Sequence, residues 1–265
     1  MKVAGGTRPA MDPRMRHRRA AIARRRGRRR LWVILAVLVV LLGGSGAFLM
    51  LHSGLFSARH VTVTGAQHTS AATVEEVAGV ARHPPLVDVD PGLASSRLER
   101  LPWISVAVVD RVWPDSVRIH VTERVPVATL PSSSGSVALV DGTGRVLADV
   151  PSAPGGTVPL SVGEPARSPG SVLGLVARNA LSVIVDLPAQ LRAQVRGVAA
   201  GGPSGVVLDL AGGEQAVLGP RDQLPAKFEA LESLIAANAL AGPEVVDLTV
   251  PNEPTVSPQP AGARS

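Results

Sequence analysis

Asp141-Gly142-Thr143-Gly144 is the stretch nearest to a catalytic signature, because aspartic proteases hold their carboxylates in Asp-Thr/Ser-Gly loops. That chemistry uses two such loops so that two carboxylates share one proton. Here Gly142 separates Asp141 from Thr143 and the chain has no second copy. A tight turn uses the same residue types, and Asp-Gly between two short apolar runs reads as a hairpin turn. The histidines, at positions 17, 52, 60, 68, 83 and 120, have no metal-ligand spacing, and none follows position 120 to serve the serines beyond it. Asp88 and Asp90 could share one face of an extended segment, but two carboxylates without further oxygen ligands make a poor cation site. Cysteine is absent, which removes disulfides, thiolate ligands and a cysteine nucleophile. The expectation is no catalytic residue, no metal site and no cofactor.

Charge is divided sharply along the chain. The formal net charge is +6, yet residues 1–30 carry twelve Lys/Arg against the single acid Asp12, which leaves the remainder at −5. The basic tail has no aromatic residue on which a base could stack, so nucleic acid is not the expected partner. Its reading is topology determinant and attraction to anionic lipid. Residues 31–51, LWVILAVLVVLLGGSGAFLML, hold 21 uncharged positions, which at about 1.5 Å each span a hydrocarbon core of about 30 Å. With the arginines before it and only His52 and Arg59 close behind, the positive-inside rule places the N-terminus in the cytoplasm and residues 52–265 outside. The rival is a cleaved signal peptide, because Ser45-Gly46-Ala47 has the small-x-small form of a cleavage site. Apolar residues resume at Phe48, which favours an anchor.

Any site outside the membrane must be positioned by the elements between His52 and Ser265. Val61 and Val63 alternate as a short strand ending at Gly65. Val74, Val77, Ala78 and Ala81 recur at helical spacing over 73–82, with Thr73-x-x-Glu76 in the form of a capping box. Pro84-Pro85 breaks the chain, LVDVD reads as extended, and Pro91 opens a second short helix up to Pro102. Val106 and Val108, then Val117, Ile119 and Val121, alternate on either side of Trp113-Pro114-Asp115, a hairpin whose corner Pro114 presets and whose turn Asp115 and Ser116 can bond. Residues 56–124 thus read β-α-α-β-β, a three-stranded sheet with both helices on one face. Trp103 and Trp113 are expected to be core plates, because a small sheet needs large side chains to bury enough area.

That order is the POTRA pattern. Leu101-Pro102-Trp103, Val109-x-Arg111-x-Trp113-Pro114 and Ile119-x-Val121-x-Glu123-Arg124-x-Pro126-Val127-Ala128, placed just outside a single span, resemble the FtsQ/DivIB family of bacterial cell-division proteins. The motif residues Trp103, Arg111, Trp113, Pro114, Glu123, Arg124 and Pro126 are read as structural. The second half, 126–250, reads as a mixed, mainly antiparallel β domain with flanking helices. Its parts are a hairpin at Asp141-Gly142, a loop over 151–170, a helix from about Val172 to Leu187, a strand AQVRGVAA, a hairpin turned at Gly212-Gly213, a helix over 225–238 and a final strand EVVDLTV. Residues 251–265, with four prolines, are expected to be a disordered tail. The whole is an α+β chain with one transmembrane helix.

The resemblance implies a non-enzymatic single-pass scaffold of the division septum that holds homologues of FtsB and FtsL. It further implies that FtsB adds a strand to the last strand of the domain, at Val245, Val246, Asp247, Leu248, Thr249 and Val250, with Phe228 and Leu231 on the supporting helix; the plainer reading of this stretch is an ordinary sheet strand whose edge the proline-rich tail covers. The other reading is an anchored cell-envelope hydrolase or transport component carrying a POTRA-like module. Such an enzyme would need a nucleophile or metal set within 126–250.

Overall fold

The computed structural model of the chain describes residues 13–202, 205–237 and 242–258. The first twelve residues of the basic tail and residues 259–265 of the C-terminal tail lie outside the described residues. Helix α1 (Pro13–Leu51) is continuous through the apolar run and begins well inside the basic tail. Its stretch Arg30–Leu51, 22 residues with a mean hydropathy of 2.6, is long and apolar enough to cross a membrane, and its most apolar part is not buried against the described residues.

The first module contains β1 (His60–Thr64), α2 (Ala71–Ala78), α3 (Pro91–Leu98), β2 (Ile104–Val112) and β3 (Ser116–Glu123). The sheet order is β1-β3-β2, with β1 parallel and β2 antiparallel to the central strand. This is the expected β-α-α-β-β arrangement. Its local devices differ from expectation. Helix α2 starts before Thr73, because Ser70 accepts the Thr73 N–H at 3.1 Å and so caps the helix in place of the Thr73/Glu76 pair. It stops at Gly79, whose φ of 81° is open to glycine at little cost. Asp90 is the cap of α3, accepting the Leu93 N–H at 3.1 Å, and Leu86–Asp88 is a 3₁₀ turn and not an extended run.

Two expectations about the hairpin are corrected. The pairing of β2 with β3 shifts between Ile104 and Val106. That bulge reverses the inside–outside phase of β2, so Ile104, Ala107 and Val109 are buried while Val106 and Val108 face solvent. Nor are the tryptophans core plates. The core is aliphatic, built from Val74, Leu86, Leu98, Ile104, Val109, Val117, Ile119 and Val121, because two eight-residue helices lie close enough to the sheet for these side chains to fill the space. Trp103 precedes β2 and is only half-buried, and Trp113 follows β2 at the turn with 49% of its surface exposed.

The second module is one nine-stranded sheet. Its elements are β4 (Pro126–Pro131), β5 (Val137–Asp141), β6 (Val146–Val150), β7 (Val158–Ser161), α4 (Leu175–Asp186), α5 (Ala189–Arg192), β8 (Val195–Gly202), β9 (Gly205–Leu210), β10 (Gln215–Gly219), α6 (Leu224–Ala236), β11 (Glu244–Asp247) and β12 (Thr255–Pro258). The order is β12-β11-β10-β9-β8-β7-β4-β5-β6. Most neighbours are antiparallel; β7 is parallel to both β4 and β8, and β10 is parallel to β11. Strand β7 lies in the stretch read as a loop. Its four residues include a proline, too short and too broken to show period two, yet it joins the hairpins on either side into a single sheet. Helix α4 covers β4, β7 and β8 through Ala177, Ala180, Leu181, Val183 and Ile184. Helix α6 packs by β10 through Phe228 and Leu231. The final strand is also corrected: β11 ends at Asp247, and residues 255–258 of the expected tail return as β12.

Candidate partner-binding edge

The C-terminal end of the large sheet is a short hairpin added in parallel to β10. Val246 and Leu248 point into the core and are fully buried, Val245 is half-buried and Asp247 faces outward. The Leu248 N–H donates to the Val217 carbonyl at 2.8 Å, so the parallel ladder continues one residue past β11. The chain then turns. The Thr249 hydroxyl bonds the Asp247 carboxylate and the Thr249 N–H donates to it at 2.8 Å, and these two bonds, the side-chain one first, hold the Asp247 carboxyl below its usual range. Thr249 packs over Gly219, where an added Cβ would meet its Oγ1 at 3.0 Å. Its N–H is therefore consumed inside the turn. Val250 is exposed, Glu253 N–H bonds the Val250 carbonyl at 3.1 Å, and β12 runs back antiparallel to β11 with Val245 opposite Ser257 and Val246 opposite Val256.

Residues 245–250 are thus not the free edge that strand addition requires. β11 is paired on both sides, by β10 and by β12. Among the described strands, β12 stands last in the sheet, all four of its residues are exposed, and its outer side pairs with nothing described. Pro254 before it and Pro258 at its end limit it to three N–H groups, on Thr255, Val256 and Ser257. The opposite edge differs. There β6 is partly covered, since Val146 N–H bonds Ser171 and Gly170 N–H bonds the Val146 carbonyl, at 2.9 and 2.8 Å. Phe228 and Leu231 are buried beneath the C-terminal edge and brace it from inside without being open to a partner. The brace contains a group with no signal in the sequence. Lys227 is completely buried, and its ammonium donates to the Leu218 and Pro220 carbonyls, each at 2.8 Å, and to Asp222 at 3.2 Å. Three acceptors satisfy three donors, which is how a buried ammonium is tolerated.

Of the motif residues, Trp103, Glu123, Arg124 and Pro126 gather at the open end of the β2–β3 hairpin, whereas Arg111, Trp113 and Pro114 lie toward its tip. Glu123 closes β3 by accepting the backbone N–H groups of Gln67, His68 and Thr69 at 2.9–3.1 Å and the His68 ring at 2.7 Å. Burial alone would raise its carboxyl, and these donors outweigh burial and lower it. The same His68 ring lies flat on Trp103, with centroids 3.9 Å apart. Arg124 joins the modules. Its N–H donates to Trp103 at 2.7 Å, its Nε to Ile104 at 3.2 Å, and its Nη1 pairs with Asp141 at 2.8 Å. The other Asp141 oxygen accepts the N–H groups of Thr143 and Arg145 and the Thr143 hydroxyl at 2.7–2.9 Å. The Asp-Gly-Thr-Gly stretch is therefore a turn whose carboxylate locks the module junction; burial favours its neutral form, but the bonds led by Arg124 hold it below its usual range. Gly144, at φ +89°, would drive a Cβ to within 2.7 Å of Arg178. Pro126 opens β4 beside this lock, Arg111 is exposed on β2, and Pro114 occupies the exposed hairpin corner.

Comparison with known proteins reproduces the same division of the chain. Residues 56–124 match the model of the FtsQ-type POTRA domain, and residues 128–249 match that of the C-terminal part of the cell division protein FtsQ/DivIB. The chain is 35% identical over 244 residues to a cell division protein FtsQ of Streptomyces collinus, covering 89% of this chain and 91% of that one. It is 33% identical over 234 residues to that of Streptomyces bingchenggensis, covering 87% of each, and 29% identical over 230 residues to that of Mycobacterium tuberculosis, covering 86% and 69%. Strand β12 lies beyond the last matched residue, Thr249, of the C-terminal model.

Proposed function

The chain belongs to the FtsQ/DivIB family of bacterial cell-division proteins, and on that premise we propose that it is a non-enzymatic, single-pass scaffold of the divisome. Its basic N-terminus stays in the cytoplasm, Arg30–Leu51 crosses the membrane, and both sheet modules face outward at the septum, where they hold homologues of FtsB and FtsL. The FtsB homologue binds by strand addition at the C-terminal edge, on the outer side of β12, with β11 and α6 behind it. The observation that carries this reading is the exposed outer side of β12, unpaired among the described strands, on a hairpin whose inner side is anchored by Val246 and Leu248. The non-enzymatic reading is supported by where the ionisable groups are spent. Glu123, Asp141, Asp90, Asp247 and Lys227 each close a turn, a cap or a junction, and among the described residues no three His, Asp or Glu side chains gather at one point.

Two measurements test the proposal. Alternate residues of an edge strand direct their N–H outward, so either Val256→Pro or Ser257→Pro removes a donor that an incoming strand uses. One of the two is expected to reduce recovery of the FtsB homologue from solubilised membranes while the protein remains folded; wild-type recovery with both refutes strand addition at β12. Topology is tested separately. A phosphatase that folds only outside the cytoplasm, fused after Ser265, is expected to be active, and a stable, full-length but inactive fusion refutes the orientation.

A further inference from the structure

Trp113 is left unexplained by the junction, the core and the partner edge. It lies half-exposed at the tip of the β2–β3 hairpin, and its ring meets Phe56 edge-on with centroids 6.0 Å apart. Phe56 belongs to the 3₁₀ turn Gly54–Phe56, and in that turn Leu55 is 68% exposed. Leu55 follows the end of α1 at Leu51 by only four residues, which at most about 3.5 Å each confines it to within about 14 Å of the helix end. The polar zone on each side of a hydrocarbon core is about 5–7 Å deep. Further contacts draw the module down to the helix. The His52 ring lies tilted by 30° against Phe48, centroids 4.0 Å apart, and reaches Asp88 at 3.4 Å, and Arg59 and His60 N–H groups bond the carbonyl of Asp115, beside Trp113, at 2.9 and 3.2 Å.

We propose that the hairpin tip is a second membrane contact: Trp113, with Leu55, seats in the interfacial layer of the outer leaflet, and Arg59 and Arg111 meet the lipid phosphates. The proposal rests on the reading that α1 spans the membrane. The chemistry is that of an interfacial anchor. Tryptophan has a large apolar body and one N–H, so it prefers the boundary where one end is apolar and the other wet. Leu55 contributes an aliphatic side chain that water would otherwise surround, and both arginines are exposed on the same module. The occupant is the bilayer because the surface is covalently continuous with the span. A contact at the tip, added to the helix, fixes the tilt of the first module and so the height at which the distal edge is presented.

The absence of cysteine permits single-cysteine spin labelling of the full chain without other changes. Leu55→Cys, Trp113→Cys, Val106→Cys and Val40→Cys are each reconstituted at one chain per lipid nanodisc, and collisions of the label with oxygen and with a water-soluble nickel chelate are compared. Val106 is the control, being 48% exposed on β2 of the same hairpin but about 23 Å from Trp113 at about 3.3 Å per residue. Labels at 55 and 113 are expected to show a several-fold higher oxygen-to-nickel ratio than the label at 106. A ratio at 113 equal to that at 106 overturns the proposal whatever Leu55 shows, because chain position alone could shield Leu55. A nickel-accessible label at Val40, in the middle of the apolar stretch, would instead refute the spanning helix on which the proposal rests. A label at 113 that is shielded only at several chains per disc overturns the lipid contact in favour of a second copy of the chain.

Discussion

Each of the two sheet modules is finished by an antiparallel hairpin, and the two hairpins are built on opposite terms. β2–β3 has nine- and eight-residue strands, buries Ile104, Ala107, Val109, Val117, Ile119 and Val121 on one face, and ends in the Glu123 and Arg124 clamps. β11–β12 has four residues in each strand, and β12 buries nothing. Side-chain burial sets the register of the first hairpin, so a slip of one residue would turn its whole apolar set outward. The outer strand of the second is held mainly by backbone bonds, which an incoming chain can match in kind. Stability belongs to the first hairpin and adaptability to the second.

The largest expected effect is inside the first hairpin. Ile119→Ala empties a fully buried site on the central strand and is expected to cost about 2–5 kcal/mol, read as a lower denaturant midpoint of the full chain in nanodiscs. A cost as small as that of a surface change would erase the contrast between the hairpins. Next comes the clamp at its end. Asp141→Ala leaves the mostly buried Arg124 guanidinium without its carboxylate and frees two N–H groups of the turn, an expected loss of about 2–3 kcal/mol. The pH dependence has a definite sign. Because the folded state lowers the Asp141 carboxyl below its ordinary 3.8, the stabilisation is fully present above about pH 4 and is lost as pH falls through the lowered value. Acid unfolding of Asp141→Asn is expected to have a shallower slope in that range, and an unchanged slope would remove Asp141 from the acid response. The smallest effect on stability is expected at the other hairpin. Val256→Pro or Ser257→Pro should shift the same midpoint by under about 1 kcal/mol, since β12 is wholly exposed, while one of them lowers partner recovery. A large loss of stability would make β12 a structural strand and remove the distinction between the two hairpins.

Periodicity and punctuation made much of this legible from sequence alone. An uncharged run of membrane length, a basic flank, two short helices of which the second is opened by Pro91, and the alternation of Val117, Ile119 and Val121 are local properties, and local physics expresses them directly. The spacing of Trp103, Arg111, Trp113, Glu123 and Arg124 was readable as a motif, although what each residue does was not. Trp103 and Trp113 could be assigned to the core because size favours burial, but whether space is available depends on how closely α2 and α3 approach the sheet. The phase of β2 was hidden by a bulge, which is a property of pairing with β3 and leaves no mark in a single strand. Strand β7 exists because β4 and β8 stand on either side of it, and β12 because β11 offers it an edge. The same holds for the candidate site. Val245–Val250 could be read as a strand from composition, but which backbone edge stays open is decided by the neighbours; Arg124 and Asp141 find each other only across the junction of the two modules, and Lys227 finds its acceptors only when α6 folds back on the end of β10. Side-chain pattern is written residue by residue, whereas the pairing of backbone edges and buried charges is a relation between segments, and only the tertiary structure decides it.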